Sequence, residues 1–205
     1  MHGSQDRVGR RRWTRAEALR VGAAGGAMMG AGALLGRRGD TEVSAAAPSS
    51  DQDTEILAFL LQLEQLQESF YREAARAPGL TGGLRDFVRT VGPQETEHVR
   101  FLAERVGDRA RPRLRPDFAR AMRSPGTLRR AAIDLEEVTI GAYVGQGMNL
   151  TRHAVAGAAR IVSVEARQAA WVRDLAGEVP APRPADPART PKQVHGALRA
   201  WGLIE

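Results

Sequence analysis

The sequence predicts an all-α chain: a four-helix bundle with a long crossover between the second and third helices and a short C-terminal helix. Three observations carry that expectation. Apolar residues recur at spacings of three and four through four long stretches, which is the period of a helix buried on one side. No stretch alternates apolar and polar residues for long enough to make a half-buried strand. Cap and breaker residues stand where each helix should begin and end.

The first helix is expected to start at a cap on Asp53 or Thr54 and to run to Ala77, where Pro78 and Gly79 stop it. Its inward stripe reads Leu60, Leu63, Glu64, Gln67, Tyr71 and Ala74. The second helix spans about 81–106 and ends at Gly107, presenting Leu84, Val88, Val91, Glu95, His98 and Leu102 to one side. Gly92-Pro93 lies inside it, so a kink or short break is expected there. The Arg/Pro-rich segment 108–123 is too long for a tight hairpin and suits a crossover. Ser124-Pro125 is an N-cap and first-turn pair for the third helix, which continues to Gln146 with Leu128, Ala132, Glu136, Ile140 and Tyr143 inward. Thr151 caps the fourth, which reaches Ala176 before Gly177 and aligns Ala158, Ile161, Glu165, Gln168 and Val172. A proline-rich stretch, Pro180 to Pro191, leads to a short amphipathic helix carrying Val194, Leu198 and Trp201.

Ahead of these helices the chain reads as a leader. Arg10-Arg11-Arg12-Trp13-Thr14-Arg15 resembles the twin-arginine export motif; a weakly hydrophobic Ala/Gly-rich run follows from Val21 to Leu35, too short for a comfortable membrane span. The small residues Val43-Ser44-Ala45-Ala46-Ala47 suit a signal peptidase, with cleavage after Ala45 or Ala46, since Pro48 disfavours Ala47. The expected organisation is a twin-arginine signal peptide over 1–46, a linker over 47–53 and one domain over 54–205, with the bundle in 54–176 and the tail and terminal helix in 177–205. The expected location is beyond the cytoplasmic membrane, in the periplasm, cell envelope or medium, with the translocation machinery as a partner. Membrane contact would come only through an uncleaved leader.

Charge and composition narrow the function. The formal net charge is +6. Residues 1–46 hold eight arginines against four acidic residues, and the remaining 22 basic and 20 acidic residues leave +2. A domain so near neutrality lacks the basic face that nucleic-acid binding needs. Only Lys192 among the basic residues is lysine, a bias read as genomic. The absence of cysteine removes disulfides, zinc–thiolate and iron–sulfur sites and thiol nucleophiles.

What remains unexplained by packing is a set of acids on the apolar stripes: Glu64, Glu95, Glu136 and Glu165, one on each main helix. Four ionised carboxylates inside a bundle cost many kcal/mol unless something compensates them. The arginines lie mostly off these stripes, whereas two divalent cations would balance four negative charges. Glu95 and His98, three residues apart, project from one face toward one ion, and oxygen and imidazole donors favour iron, manganese or zinc.

Together, Leu63-Glu64 through Phe70-Tyr71, Glu95-Thr96-Glu97-His98, Leu135-Glu136 through Ala142-Tyr143, and Ser163-Val164-Glu165-Ala166-Arg167-Gln168 resemble the ferritin-like superfamily, and within it the secreted bacterial proteins that include the desiccation-related group. The likeness extends over about 54–205, including Trp201-Gly202-Leu203-Ile204. It implies a carboxylate di-metal site. Glu64 and His98 would complete the first metal, Glu95 and Glu165 would bridge, and Glu136 would be the terminal ligand of the second, with Glu137 next in line if the register shifts by one. The chain departs from the family pattern at Gln168, where the second Glu-x-x-His has glutamine in place of histidine, so that its carbonyl oxygen would be a neutral, weaker ligand of the second metal. That leaves a weak second site, a single metal or a non-catalytic remnant as alternatives.

The leading expectation is therefore an exported metal-binding protein, holding one or two irons (or manganese or another divalent metal), with ferroxidase activity toward oxygen or peroxide as the implied chemistry. The alternative is a structural or stress-protective module with vestigial carboxylates, which would be paired with arginines or partly wet. A peroxide-reducing enzyme with a built-in rubredoxin-like centre is disfavoured by the missing cysteines. Iron storage in a shell is a further reading, but the 108–123 segment and proline-rich tail look like coverings of a monomer or small homo-oligomer.

Overall fold

The computed structural model describes residues 47–205. The leader, its twin-arginine motif and its cleavage site lie outside the described residues. Five helices follow in order: α1 (Ser50–Ala74), α2 (Gly82–Val106), α3 (Pro125–Gly147), α4 (Arg152–Leu175) and α5 (Pro191–Ala200), with short 3₁₀ turns at Gly107–Arg109 and Ala121–Arg123. No strand occurs among the described residues, so the all-α expectation holds. Helices α1 and α2 pack as one hairpin, α3 and α4 as another, and the hairpins meet through α1 against α3 and α2 against α4. No helix among the described residues is long and apolar enough to cross a membrane.

Every residue assigned to the inward stripes of α1–α4 is buried. Local signals also set most boundaries. Ser124 and Thr127 form a reciprocal capping box with Pro125 in the first turn of α3. The Thr151 side chain caps α4 by accepting from the Ala154 N–H. At the other end of α4, Gly177 takes φ +74° while the Glu178 N–H reaches the Arg173 carbonyl, a glycine-terminated helix end.

Three expectations need correction. Helix α1 begins at Ser50, capped by Ser49, so residues 50–53 are helical rather than linker. Asp53 does not cap α1 but reaches another helix. Its carboxylate accepts from the Thr151 N–H at 2.8 Å and from the Thr151 hydroxyl at 2.5 Å, tying the start of α1 to the start of α4. The first helix also ends at Ala74, short of the expected end near Ala77, and its last turn tightens as the Arg76 and Ala77 N–H groups donate to the Glu73 and Ala74 carbonyls. Finally, α2 passes Pro93 without a break. Pro93 and Arg89, whose carbonyl loses its donor, both lie on the exposed side, so the missing bond falls where solvent has access while the buried face stays packed.

The outer face of α1 is covered as well. Its run from Ile56 to Leu63 is buried all round, as an apolar helix without a polar face must be. The crossover supplies Phe118 against Phe70, and α5 supplies His195 against Phe59, both as edge-on ring pairs. The C-terminal residues pair with the crossover: the Asp117 N–H donates to the Leu203 carbonyl and the Glu205 N–H to the Arg115 carbonyl, around a lone Pro116–Ile204 bridge. The proline-rich tail reaches α5 across α3, where the Arg189 N–H donates to the Gly141 carbonyl at 2.8 Å. A Cβ on Gly145 would lie 2.1 Å from the Arg189 carbonyl oxygen, so the two glycines, one turn apart, make the notch in which the tail backbone rests.

Candidate metal centre

Each main helix delivers one carboxylate to the middle of the bundle. Glu64, Glu95, Glu136 and Glu165 are all 0% exposed, and His98 and Gln168 are 8% and 3% exposed. Glutamate is rarely buried to this degree without a partner of opposite charge, and no arginine pairs with any of the four among the described residues. Glu137, the neighbouring position, faces away and pairs with Arg173.

Helical register explains the convergence. Glu95 and His98 project from one face of α2, and the imidazole Nδ1 lies 3.2 Å from Glu64 Oε2, 3.1 Å from Glu165 Oε1 and 3.6 Å from Glu95 Oε2. One ligand atom from each of Glu64, Glu95, His98 and Glu165 falls within 4.8 Å of the others. Glu136 is not part of that group; it sits on the far side, where Tyr71 donates its hydroxyl to Oε1 and Gln67 donates Nε2–H to Oε2 at 3.1 Å. The same Gln67 amide reaches Glu165 Oε2 at 3.1 Å, and its own carbonyl accepts from the Thr139 hydroxyl at 2.8 Å. Tyr143 donates to Glu64 Oε1 at 2.6 Å. Gln168 turns its amide nitrogen, not its carbonyl, to the cluster, donating to Glu95 Oε1 at 2.9 Å and to Gln94 Oε1 at 3.0 Å.

The electrostatics follow from burial. Desolvation, with the neighbouring carboxylates adding to it, pushes Glu95 and Glu136 well above the usual carboxylate range and raises Glu165. Burial works against charging His98, yet the pull of the adjacent Glu165, Glu64 and Glu95 carboxylates outweighs it, and the imidazole is pushed up to about 12. Burial and the adjacent acid likewise raise the Tyr71 and Tyr143 hydroxyls, which therefore stay protonated and donate. Without a metal, the cluster neutralises itself with protons.

The side chains around the cluster leave two of its oxygens without a partner. A histidine Nδ1 carries one hydrogen, and Glu95 Oε2 and Glu165 Oε1 are buried with no hydrogen-bond donor. Both oxygens face Nδ1. Three carboxylate oxygens and one imidazole nitrogen, two of the oxygens orphaned, match what a divalent first-row cation takes from a protein. The cluster can hold a metal.

Sequence reasoning places the four glutamates, His98 and Gln168 here but misses what surrounds them. It puts Gln67 on the inward stripe without a role, treats Tyr71 and Tyr143 as core residues, and leaves Thr139 off the expected face of α3. The signal available for Gln67 is its place three residues after Glu64, where an inward polar side chain must find a partner within the bundle.

The fold and this site together define a carboxylate-lined four-helix bundle. The family model described as a ferritin-like domain matches residues 52–178, and the chain belongs to that family. The match ends before most of the proline-rich tail and α5. No curated protein matches the sequence significantly.

Proposed function

We propose that this protein is an exported metal-binding ferritin-like protein whose cluster of Glu64, Glu95, His98 and Glu165 takes iron. The observation that carries the reading is the convergence of those four buried side chains on one point with no arginine or lysine to neutralise them among the described residues. Bound iron would supply one-electron chemistry between Fe(II) and Fe(III), with oxygen or peroxide as acceptor, and carboxylate ligation favours the oxidised ion.

The chain's own residues do the positioning. Glu64, Glu95 and Glu165 offer hard oxygen donors, and His98 offers its Nδ1 once that nitrogen has given up its proton. Tyr143 fixes the Glu64 carboxylate by holding its other oxygen, and Gln168 does the same for Glu95. The apolar layers above and below keep bulk water from the oxygens, which strengthens every charge interaction in the site.

The alternative, a structural module with vestigial carboxylates, calls for arginine partners or wet glutamates, and the four acids have neither. The deciding experiment is metal content of the full chain after anaerobic Fe(II) loading and desalting, beside Glu95→Ala. Bound iron that is lost in the variant supports the metal centre. No iron in the wild type, with an unchanged melting temperature, leaves the structural module.

Export rests on the leader. Replacing Arg10, Arg11 and Arg12 with lysine should leave the protein in the cytoplasm at full length, whereas the wild type should appear beyond the membrane, starting near Ala46 or Ala47. An unprocessed wild-type chain in the cytosol would remove export from the reading.

A further inference from the structure

The four carboxylates offer eight oxygens, and the hydrogen bonds divide them unevenly. On the side away from His98, every oxygen is engaged. Glu136 Oε1 accepts from Tyr71, Glu136 Oε2 and Glu165 Oε2 both accept from Gln67, and Glu95 Oε1 accepts from Gln168. On the His98 side, Glu95 Oε2 and Glu165 Oε1 have no donor, and Glu64 Oε2 has only the imidazole. Glu95 and Glu165, the two residues that would have to bridge a metal pair, thus each turn one oxygen to the histidine and surrender the other to an amide N–H.

The Gln67 amide is fixed at both ends. Gln67 Nε2 sits between two carboxylate oxygens at 3.1 Å each, and its carbonyl is fixed by the Thr139 hydroxyl. Reversing it would set a carbonyl oxygen against two carboxylates and strand the Thr139 proton in the core. Gln168 Nε2 also faces two acceptors, Glu95 Oε1 and Gln94 Oε1, but its own carbonyl oxygen is buried without a donor, so it is held less firmly than Gln67. An amide N–H₂ has no lone pair to offer a metal, and Gln67 fills the space between the oxygens of Glu136 and Glu165 that a second ion would need.

We infer that the centre binds one divalent cation per chain, on Glu64, Glu95, His98 and Glu165, and that Gln67, locked by Thr139, closes the second position. This rests on the metal-centre reading above and disagrees with the paired site that the fold implies. Gln67 is a specificity-determining residue here: it sets how many ions enter, while Glu136, capped by Tyr71 and Gln67, serves as its anchor rather than as a ligand.

The test is an anaerobic Mn(II) titration of the full chain, with bound ions counted by equilibrium dialysis and metal analysis and their environment read by electron paramagnetic resonance. Wild type should saturate at one ion per chain with the spectrum of an isolated ion. Gln67→Ala, which removes the amide, should take up a second ion within about tenfold of the first in affinity and show spin coupling between neighbours. Thr139→Val, which only frees the amide, should weaken the exclusion without changing the first affinity, and covers the case in which Gln67→Ala does not fold. Two ions of comparable affinity in the wild type would overturn the inference while leaving the metal centre standing. One ion in wild type and both variants would overturn the role of Gln67. No ion in any of them would overturn this inference and the metal centre together.

Discussion

Single residues here are best understood by which atom meets which. The sequence places an acid at the centre of each stripe because helical period is local, but the fate of each carboxyl oxygen depends on the helix opposite. Glu136 and Glu137 illustrate it: adjacent in the chain, one is fully buried beneath Tyr71 and the other pairs with Arg173 near the surface. Asp53 shows the reverse case, a residue legible as a cap that tertiary packing reassigns to Thr151 on another helix. Asp53→Ala should lower stability by about 2 kcal/mol, the usual loss for hydrogen bonds to a charged group, seen as a shifted urea midpoint with metal stoichiometry unchanged. A neutral result would mean that water replaces the carboxylate. Tyr143→Phe should leave Glu64 Oε1 without its donor and reduce stability by about 1–3 kcal/mol in the metal-free protein, and by less once metal holds the same carboxylate. Melting curves with and without Mn(II) separate the two.

At the scale of elements, most boundaries written in cap chemistry were legible, the start of α1 at Ser49 excepted, and those decided by neighbours were not. Ser124-Pro125, Thr151 and Gly177 act through bonds a few residues long, and each behaves as its sequence context predicts. The unbroken course of α2 through Pro93 could not be read locally, because it depends on Pro93 falling on the wet side while Val91, Glu95, His98 and Leu102 hold the dry one. The seat of the tail on α3 is also tertiary, since nothing in the local pattern pairs Arg189 with Gly141 and Gly145. Gly145→Ala would drive a methyl into backbone rather than into a yielding side chain. Overpacking of this kind costs about 1–3 kcal/mol, and here it should fall on tail docking. The expected outcome is faster proteolysis between residues 177 and 190, with helix content of the bundle retained. Equal protease resistance would show that the notch is not what holds the tail.

For the whole molecule, the buried acids couple folding to pH and to metal. Glu95, Glu136 and Glu165 bind protons more tightly folded than unfolded. Their contribution to metal-free stability is therefore complete below the unfolded carboxylate range and is lost as pH rises through their raised values. His98, raised to about 12, acts in the same direction: its contribution is complete below its ordinary value and disappears as pH climbs through about 12. Metal-free protein should then melt at higher temperature at about pH 5.5 than at about pH 8. A cation that displaces these protons reverses the trend. At a hundredfold excess over its dissociation constant it adds about 2.7 kcal/mol, worth several degrees in a protein of this size, and the gain should shrink on acidification. Calorimetry in chelator and in Mn(II) across that range reads both slopes. A pH-independent gain would mean that metal does not compete with protons at this cluster.

The sequence by itself determined the fold class and the buried face of each long helix, and with it the burial of Glu64, Glu95, His98, Glu136, Glu165 and Gln168, because these follow from a repeat of three and four and from residues that start or stop helices. Tertiary structure decided the rest. The covering of α1 requires the crossover and α5 to come back across the chain, and the division of the carboxylate oxygens requires Gln67, Thr139 and Gln168 to approach from three different helices. A periodic pattern specifies the face on which a side chain lies. Which oxygen is left free for a metal depends on hydrogen bonds shorter than the spacing between helices, and only the packed bundle sets those.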